Sequence, residues 1–204
     1  MARPANISKN QIIKAAKDLF IKNGIHSTEM NDIAGICGIG RSSLYRYFNS
    51  RESIALAIAD DVLIRLCNKT NEGLQSEGNG YEKISTALTS LLDYMKANLA
   101  EIWFINCFDQ YFSDALHEYE GELNYVSHVK HSRDMMTLAL REGIGDGSIH
   151  SLTDPEFTSG LIINTLLALG QRVLPRKRIL RKEQGFAEEY LDELLQLLLK
   201  SIVA

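Results

Sequence analysis

Apolar residues recur three and four positions apart along almost the whole of this chain, the spacing that lines one face of an α-helix. Only three prolines and fourteen glycines punctuate its 204 residues. A sandwich or barrel needs a turn at roughly every 8 to 12 residues, so this supply of turn formers is too small. The expectation is an all-α chain. Its length allows one ordinary domain or two small ones and excludes a large multidomain enzyme, and 45% apolar with 24% charged residues is a globular balance.

Capping signals divide the chain. Ser8-Lys9-Asn10-Gln11 forms a capping box that opens a helix carrying Ile12, Ala15, Ala16, Leu19 and Phe20 to a stop at Gly24. A short helix follows from Thr28 to Cys37, Gly38 breaks it, and another runs from about Arg41 to Phe48. Asn49-Ser50-Arg51-Glu52 then caps a long helix to Leu74. The clearest linker is Ser76-Glu77-Gly78-Asn79-Gly80. Beyond it the periodicity gives helices at 82 to 98, 101 to 115, 119 to 142, 155 to 173 and 186 to 203. Asp154-Pro155 supplies a cap and an N1 proline, and a basic loop from Pro175 to Lys182 precedes the last helix. About nine helices result, three in a head and six in a body.

Charge follows the same division. Residues 1 to 53 hold eight Lys and Arg against four Asp and Glu, whereas the remainder holds fourteen against twenty-two. A basic head on an acidic body reads either as a head that meets a polyanion or as a chance imbalance among solvated faces. Cys37, Cys67 and Cys107 are odd in number and lack metal-site spacing, so neither a disulfide framework nor a zinc site is expected. The N-terminus lacks the apolar core of a signal peptide, and the longest apolar run, Leu161 to Leu169, is interrupted by Asn164 and Thr165. A soluble, cytoplasmic chain with no membrane partner is expected.

Two short helices joined by Cys37-Gly38-Ile39-Gly40 have the layout of a helix-turn-helix, whose second helix enters the DNA major groove. At 100° per residue Leu44 and Phe48 share one arc and face the core. Ser42, Ser43 and Arg46 point away, Tyr45 and Tyr47 flank them, and Arg41 stands at the tip. Small hydroxyl residues allow close approach to base edges, Arg bonds guanine with two donors, and Tyr hydroxyls reach phosphates. An ordinary solvated helix face is the alternative reading of this helix taken alone.

The neighbouring residues bear on that choice. Ile12-x-x-Ala15-Ala16-x-x-Leu19-Phe20-x-x-x-Gly24, Thr28, Ile33-Ala34, Gly38-Ile39, Leu44-Tyr45-x-Tyr47-Phe48 and Ser50-Arg51-Glu52 stand in one register. This stretch, from Ile12 to Ile54, closely resembles the DNA-binding domain of the tetracycline-repressor (TetR) family of bacterial transcriptional regulators. The resemblance implies a helix-turn-helix domain at 1–53 and a helical ligand-binding and dimerisation domain at 54–204. It further implies base or near-base contacts from Arg41, Ser42, Ser43, Tyr45 and Arg46, with phosphates held by Tyr47, Thr28 and Arg51. Gly40 and Arg51 depart from the commoner residues of the family but keep an acceptable cap and the charge.

Similarity fades after Ile54, and the body is read from periodicity. Leu191, Leu194 and Leu198 recur along the last helix, and Phe157, Leu161, Asn164 and Ala168 line the one before it. Members of the resembled family dimerise through their last two helices, which implies that these residues form a homodimer interface; a monomer burying both stripes is the alternative. Residues 102 to 112 concentrate five aromatics, and Phe104, Phe108 and Tyr111 with Cys107 read either as plain core or as the lining of a ligand cavity. His128 and Ser132 share a helical face and are candidate polar anchors, or ordinary core and interface residues.

No phosphate-binding glycine loop, nucleophile elbow, HExxH or paired carboxylate site stands in the sequence, so no enzyme, cofactor or metal is expected. The expected partners are double-stranded operator DNA, an unidentified small-molecule effector and a second copy of the chain. A helical adaptor that binds only proteins is the rival reading, and the exposed Arg41, Tyr45, Arg46, Tyr47 and Arg51 count against it.

Overall fold

The computed structural model describes residues 7–204. Among them the chain forms ten α-helices and two short 3-10 segments, with no strand beyond one isolated bridge. It divides into two compact units. One comprises the chain up to Val62 together with Trp103–Asn124; the other comprises Leu63–Ile102 and Tyr125–Ala204.

In the first unit, α1 (Lys9–Asn23) begins on the expected capping box: Ser8 Oγ accepts from Gln11 N, and Gln11 Oε1 accepts from Ser8 N at 2.8 Å. α2 (Met30–Ile36) and α3 (Arg41–Tyr45) are joined by a tight turn. Gly38 there has φ 65°, and the amides of Gly38 and Ile39 bond back to the carbonyls of Gly35 and Ala34. That pairing satisfies the last carbonyls of α2 while reversing the chain, and only glycine takes that φ without a Cβ penalty. α3 is shorter than its apolar pattern suggests because its last turn tightens: Tyr47 N bonds to Leu44 O, three residues back. Ser50 caps α4 (Arg51–Leu74) reciprocally with Ser53, each backbone amide bonding the other's hydroxyl.

The core of this unit is aromatic. Phe20 of α1 meets Phe104 of α6 (Leu99–Tyr111) with ring centroids 6.5 Å apart, and the column continues through Phe108 and Phe112 at 6.2 and 4.7 Å. All four rings are buried, as are Ile12, Ile33, Leu44, Ile54 and Ile58. The aromatic stretch therefore serves as packed core here, with Phe104 and Phe108 both fully buried.

The second unit holds the rest of α4 with α5 (Gly80–Ala97), α7 (Tyr125–Asp146), α8 (Pro155–Val173), α9 (Lys177–Gln184) and α10 (Glu189–Lys200). Leu88, Leu91, Met95, Met136, Leu140, Leu166, Leu191 and Leu195 are buried in it. Two polar pairs stand in this unit: Tyr94 and Arg65 both donate to Glu101, at 2.8 and 2.7 Å, and the hydroxyls of Thr137 and Ser159 lie 3.0 Å apart. α8 starts on the expected Asp154 cap with Pro155 at its first position. The joint between α5 and α7 is very close. A Cβ on Gly80 would lie 2.2 Å from the backbone nitrogen of Gly143, while Asp146 and Ser148 side chains accept from the amides of Gly80 and Tyr81.

Two expectations are corrected in this part of the chain. The basic segment before the last helix is itself helical, as α9, because Leu180 is buried and Lys177 and Arg181 pair with Glu188 and Glu189. The helix expected over 119 to 142 is two elements, a 3-10 segment (Leu116–Glu122) and α7, and α7 continues through Gly143 to Asp146. One turn of buried leucine, as in α9, is too short a pattern to announce a helix by periodicity.

Candidate nucleic-acid interface and effector cavity

α3 is held by its apolar side. Leu44 is fully buried and Phe48 nearly so, which fixes the rotation of the helix and turns Arg41, Ser42, Tyr45 and Arg46 to solvent, with Ser43 half-buried beside them. The Arg41 guanidinium lies 5.4 Å from the Tyr45 ring centre and donates to the Tyr45 hydroxyl at 3.3 Å, a bond that raises its already high pKa. This pair gives the exposed face a pre-ordered cation and hydroxyl. Tyr47 is exposed as well, and its hydroxyl donates to the carbonyl of Ile7 at 2.9 Å.

Two of the residues expected at the phosphates are placed differently. Thr28 is fully buried and its hydroxyl donates to Gly24 O at 2.8 Å, closing the turn before α2, so its side chain does not reach the exposed face. Arg51 is engaged inside its own unit: Nε donates to Glu52 Oε1 at 2.9 Å, Nη1 donates to the carbonyl of His26, and the Tyr111 ring lies 5.9 Å away. Tyr111 donates to the same Glu52 oxygen at 2.7 Å. Burial pushes the Glu52 pKa up, but the bonds from Tyr111 and Arg51 outweigh it and the net shift is downward. Tyr111 thus braces the first turn of α4. Lys9, at the first turn of α1, was not singled out from the sequence, yet it lies 5.1 Å from the Phe48 ring centre beside Tyr47 and Asn49. Its position directly after the Ser8 cap was the available signal.

The second unit contains a cavity of about 120 Å³. Leu63, Leu66, Cys67 and Thr70 of α4, Leu91 of α5, Val129, Ser132 and Arg133 of α7, and Gly160, Ile163, Asn164 and Leu167 of α8 line it. Of the expected ligand residues, only Ser132 is among these. His128 is exposed, one helical turn away on α7, and Phe104, Cys107, Phe108 and Tyr111 belong to the other unit. Periodicity identified buried positions but not which helices leave a space between them. Desolvation pushes the Cys67 thiol up to about 11. Arg133 contacts Asp134 at 3.4 Å and Glu156 at 3.3 Å, while its buried Nε has no partner.

The outward side of α8 is an apolar stripe. Phe157 is 68% and Leu161 53% exposed, and Asn164 and Ala168 continue the same side. On α10 Leu194 and Leu198 are half-buried and Leu197 is exposed. Leu191, expected on the interface, is instead fully buried in the core of its own unit, because the side of α10 holding Leu191, Leu195 and Leu199 packs inward.

Residues 12–58 match the profile described as "Bacterial regulatory proteins, tetR family". Over nearly the full length, the chain is 25% identical to an HTH-type transcriptional regulator of Staphylococcus aureus, covering 93% of this chain and 92% of that one. It is 24% identical to the HTH-type transcriptional repressor KstR2 of Mycolicibacterium smegmatis, covering 80% and 78%. Its fold is similar to that of the transcriptional regulator FadR from Bacillus subtilis, solved in complex with stearoyl-CoA, with a TM-score of 0.70 at 18% identity over 94% of this chain and 98% of that one.

Proposed function

The chain belongs to the tetR family of bacterial regulatory proteins, and we propose that it is a cytoplasmic repressor that binds a palindromic operator as a homodimer and is released by a small molecule. The observation that carries this reading is α3, anchored by buried Leu44 and Phe48 and presenting Arg41, Ser42, Tyr45 and Arg46 to solvent. Such a face supplies bidentate guanidinium donors and short hydroxyls for base edges, with Tyr47 and Lys9 beside it for phosphates. Two such helices reach successive major grooves only when a dimer sets them about 34–36 Å apart. The exposed stripe of Phe157, Leu161, Asn164 and Ala168 with Leu194 and Leu198 supplies the dimer surface in this reading. The effector occupies the cavity bounded by Leu66, Leu91, Ser132 and Leu167. It releases the operator by binding more tightly to a form whose α4 helices hold the heads at another spacing.

The test is a fluorescence-anisotropy titration against the DNA upstream of the chain's own gene, at two salt concentrations. The expected outcome is tight, sequence-selective, salt-sensitive binding that Arg46→Ala weakens by about 1–3 kcal/mol. Binding indistinguishable from random DNA here and in a random-sequence selection would overturn the reading in favour of a protein-binding adaptor.

A further inference from the structure

Resting on that reading of the cavity, we infer that its ligand is a compact carboxylate, a short-chain or single-ring acid whose carboxylate binds Arg133 and whose apolar end fills the space between α4, α5 and α8. Size is the first constraint. The cavity holds about 120 Å³, close to the roughly 150 Å³ of an engineered apolar cavity that takes up benzene. It accommodates one ring or a chain of several carbons, and neither a long acyl chain nor a fused-ring system.

The lining is the second constraint. Leu63, Leu66, Leu91, Ile163 and Leu167 form apolar walls, and Arg133 is the sole charged residue among the lining side chains. No carboxylate lines the space, so a cationic ligand would have no counter-charge within it. A neutral apolar ligand would leave the buried Nε of Arg133 without a partner. Arg133 is also incompletely used. Its contacts to Asp134 and Glu156, at 3.4 and 3.3 Å, exceed the 2.7–2.9 Å or so of a charge-assisted bond, and its buried Nε has no partner. A buried donor without an acceptor is a standing cost, and a carboxylate answers the guanidinium with two parallel bonds.

Position is the third constraint. Arg133, Gly160 and Asn164 line both this cavity and a groove of about 620 Å³ on the side of α8 proposed for the dimer surface, past Asp154, Glu156, Phe157 and Leu161. Arg133 therefore stands where the cavity meets the groove, which orients an acid with its carboxylate at the mouth and its carbon skeleton inward. Gly160 keeps that mouth wide, since a Cβ there would have no atom within 4 Å.

Calorimetric titration of the full-length protein at neutral pH with hexanoate, benzoate, dodecanoate, hexanol and benzyl alcohol tests the inference. Hexanoate and benzoate are expected to bind at least tenfold more tightly than their alcohols and than dodecanoate. Arg133→Met is expected to erase the preference for acid over alcohol, with Arg133→Lys intermediate because it keeps the charge without the fork. Gly160→Leu is expected to abolish binding of all five while leaving the helix content unchanged. Alcohols that bind as tightly as the acids, an acid preference that survives in Arg133→Met, or no binding of either short acid would overturn the inference. A parallel operator-release titration separates the two readings. An acid that binds through Arg133 but leaves the operator complex intact supports the ligand class and removes the effector role. An alcohol that releases the operator keeps the effector role and overturns the ligand class.

Discussion

The two units solve the problem of filling a helical core in opposite ways. The unit that carries α3 is closed by rings, with Phe20, Phe104, Phe108 and Phe112 in one column. The other is built mostly of aliphatic residues and leaves about 120 Å³ open between α4, α5, α7 and α8. Of the two readings of the aromatic stretch in the first, plain core fits the stacked, buried rings. Leucines, one isoleucine, a valine and a cysteine on four helices leave the gap, where a half-buried arginine and two hydroxyl residues stand at its wall.

Truncation is the strongest way to break that contrast. Phe104→Ala is expected to lower stability by about 3–5 kcal/mol in urea unfolding, because it opens a void in a sealed core. A loss below about 1 kcal/mol would show that the column is not packed as described. In the other unit the contrast predicts the opposite sign: Cys67→Val adds volume toward an existing space and is expected to raise stability by roughly 0.5–2 kcal/mol in the same assay. A marked loss there would mean that the space is already filled.

A smaller effect distinguishes the two by pH. Tyr111 and Arg51 hold the Glu52 pKa below its ordinary value against the upward pull of burial. The folded state therefore binds the proton less readily than the unfolded state, so the contribution of Glu52 is full above the unfolded value near 4.3 and is lost as pH falls through the lower folded value. The stability difference between wild type and Glu52→Gln is expected to be constant above about pH 5 and to close on acidification. A difference that widens toward acid would reverse the assigned direction. Smallest of all is a difference in thiol reactivity. With the Cys67 thiol pushed up to about 11, iodoacetamide at pH 8 is expected to label half-buried Cys37 and Cys107 before Cys67, as read by mass spectrometry.

Local rules carried the turn and most of the caps well. Ser8 and Gln11, Gly38, Gly40, Ser50 and Asp154 with Pro155 act through neighbours within a few positions, and each was legible because its partner lies in the same short window. The face of α3 was legible for the same reason, since Leu44 and Phe48 lie one helical turn apart. What failed was assignment among cores. Leu191 repeats with Leu194 and Leu198, but spacing alone does not say which side of a wide apolar surface meets its own unit. Thr28 stood at the right place for a phosphate, and a hydrogen bond four residues back took its hydroxyl instead. Helical spacing does not mark Arg133, because its place at the cavity depends on α8, over twenty residues further along.

The segment that looked most like a flexible connector, 76 to 80, ends at a backbone-to-backbone contact, where Gly80 and Gly143 leave no room for a Cβ and Asp146 and Ser148 grip the first amides of α5. A side chain at Gly80 would force the two helices apart at this point. Leu91 and Ser132 each lie eleven residues from that contact, Leu91 from Gly80 and Ser132 from Gly143, which is roughly 16 Å along each helix. The cavity is thus set between two arms of equal length. In the proposed reading, an effector held in the cavity acts as a wedge between α5 and α7.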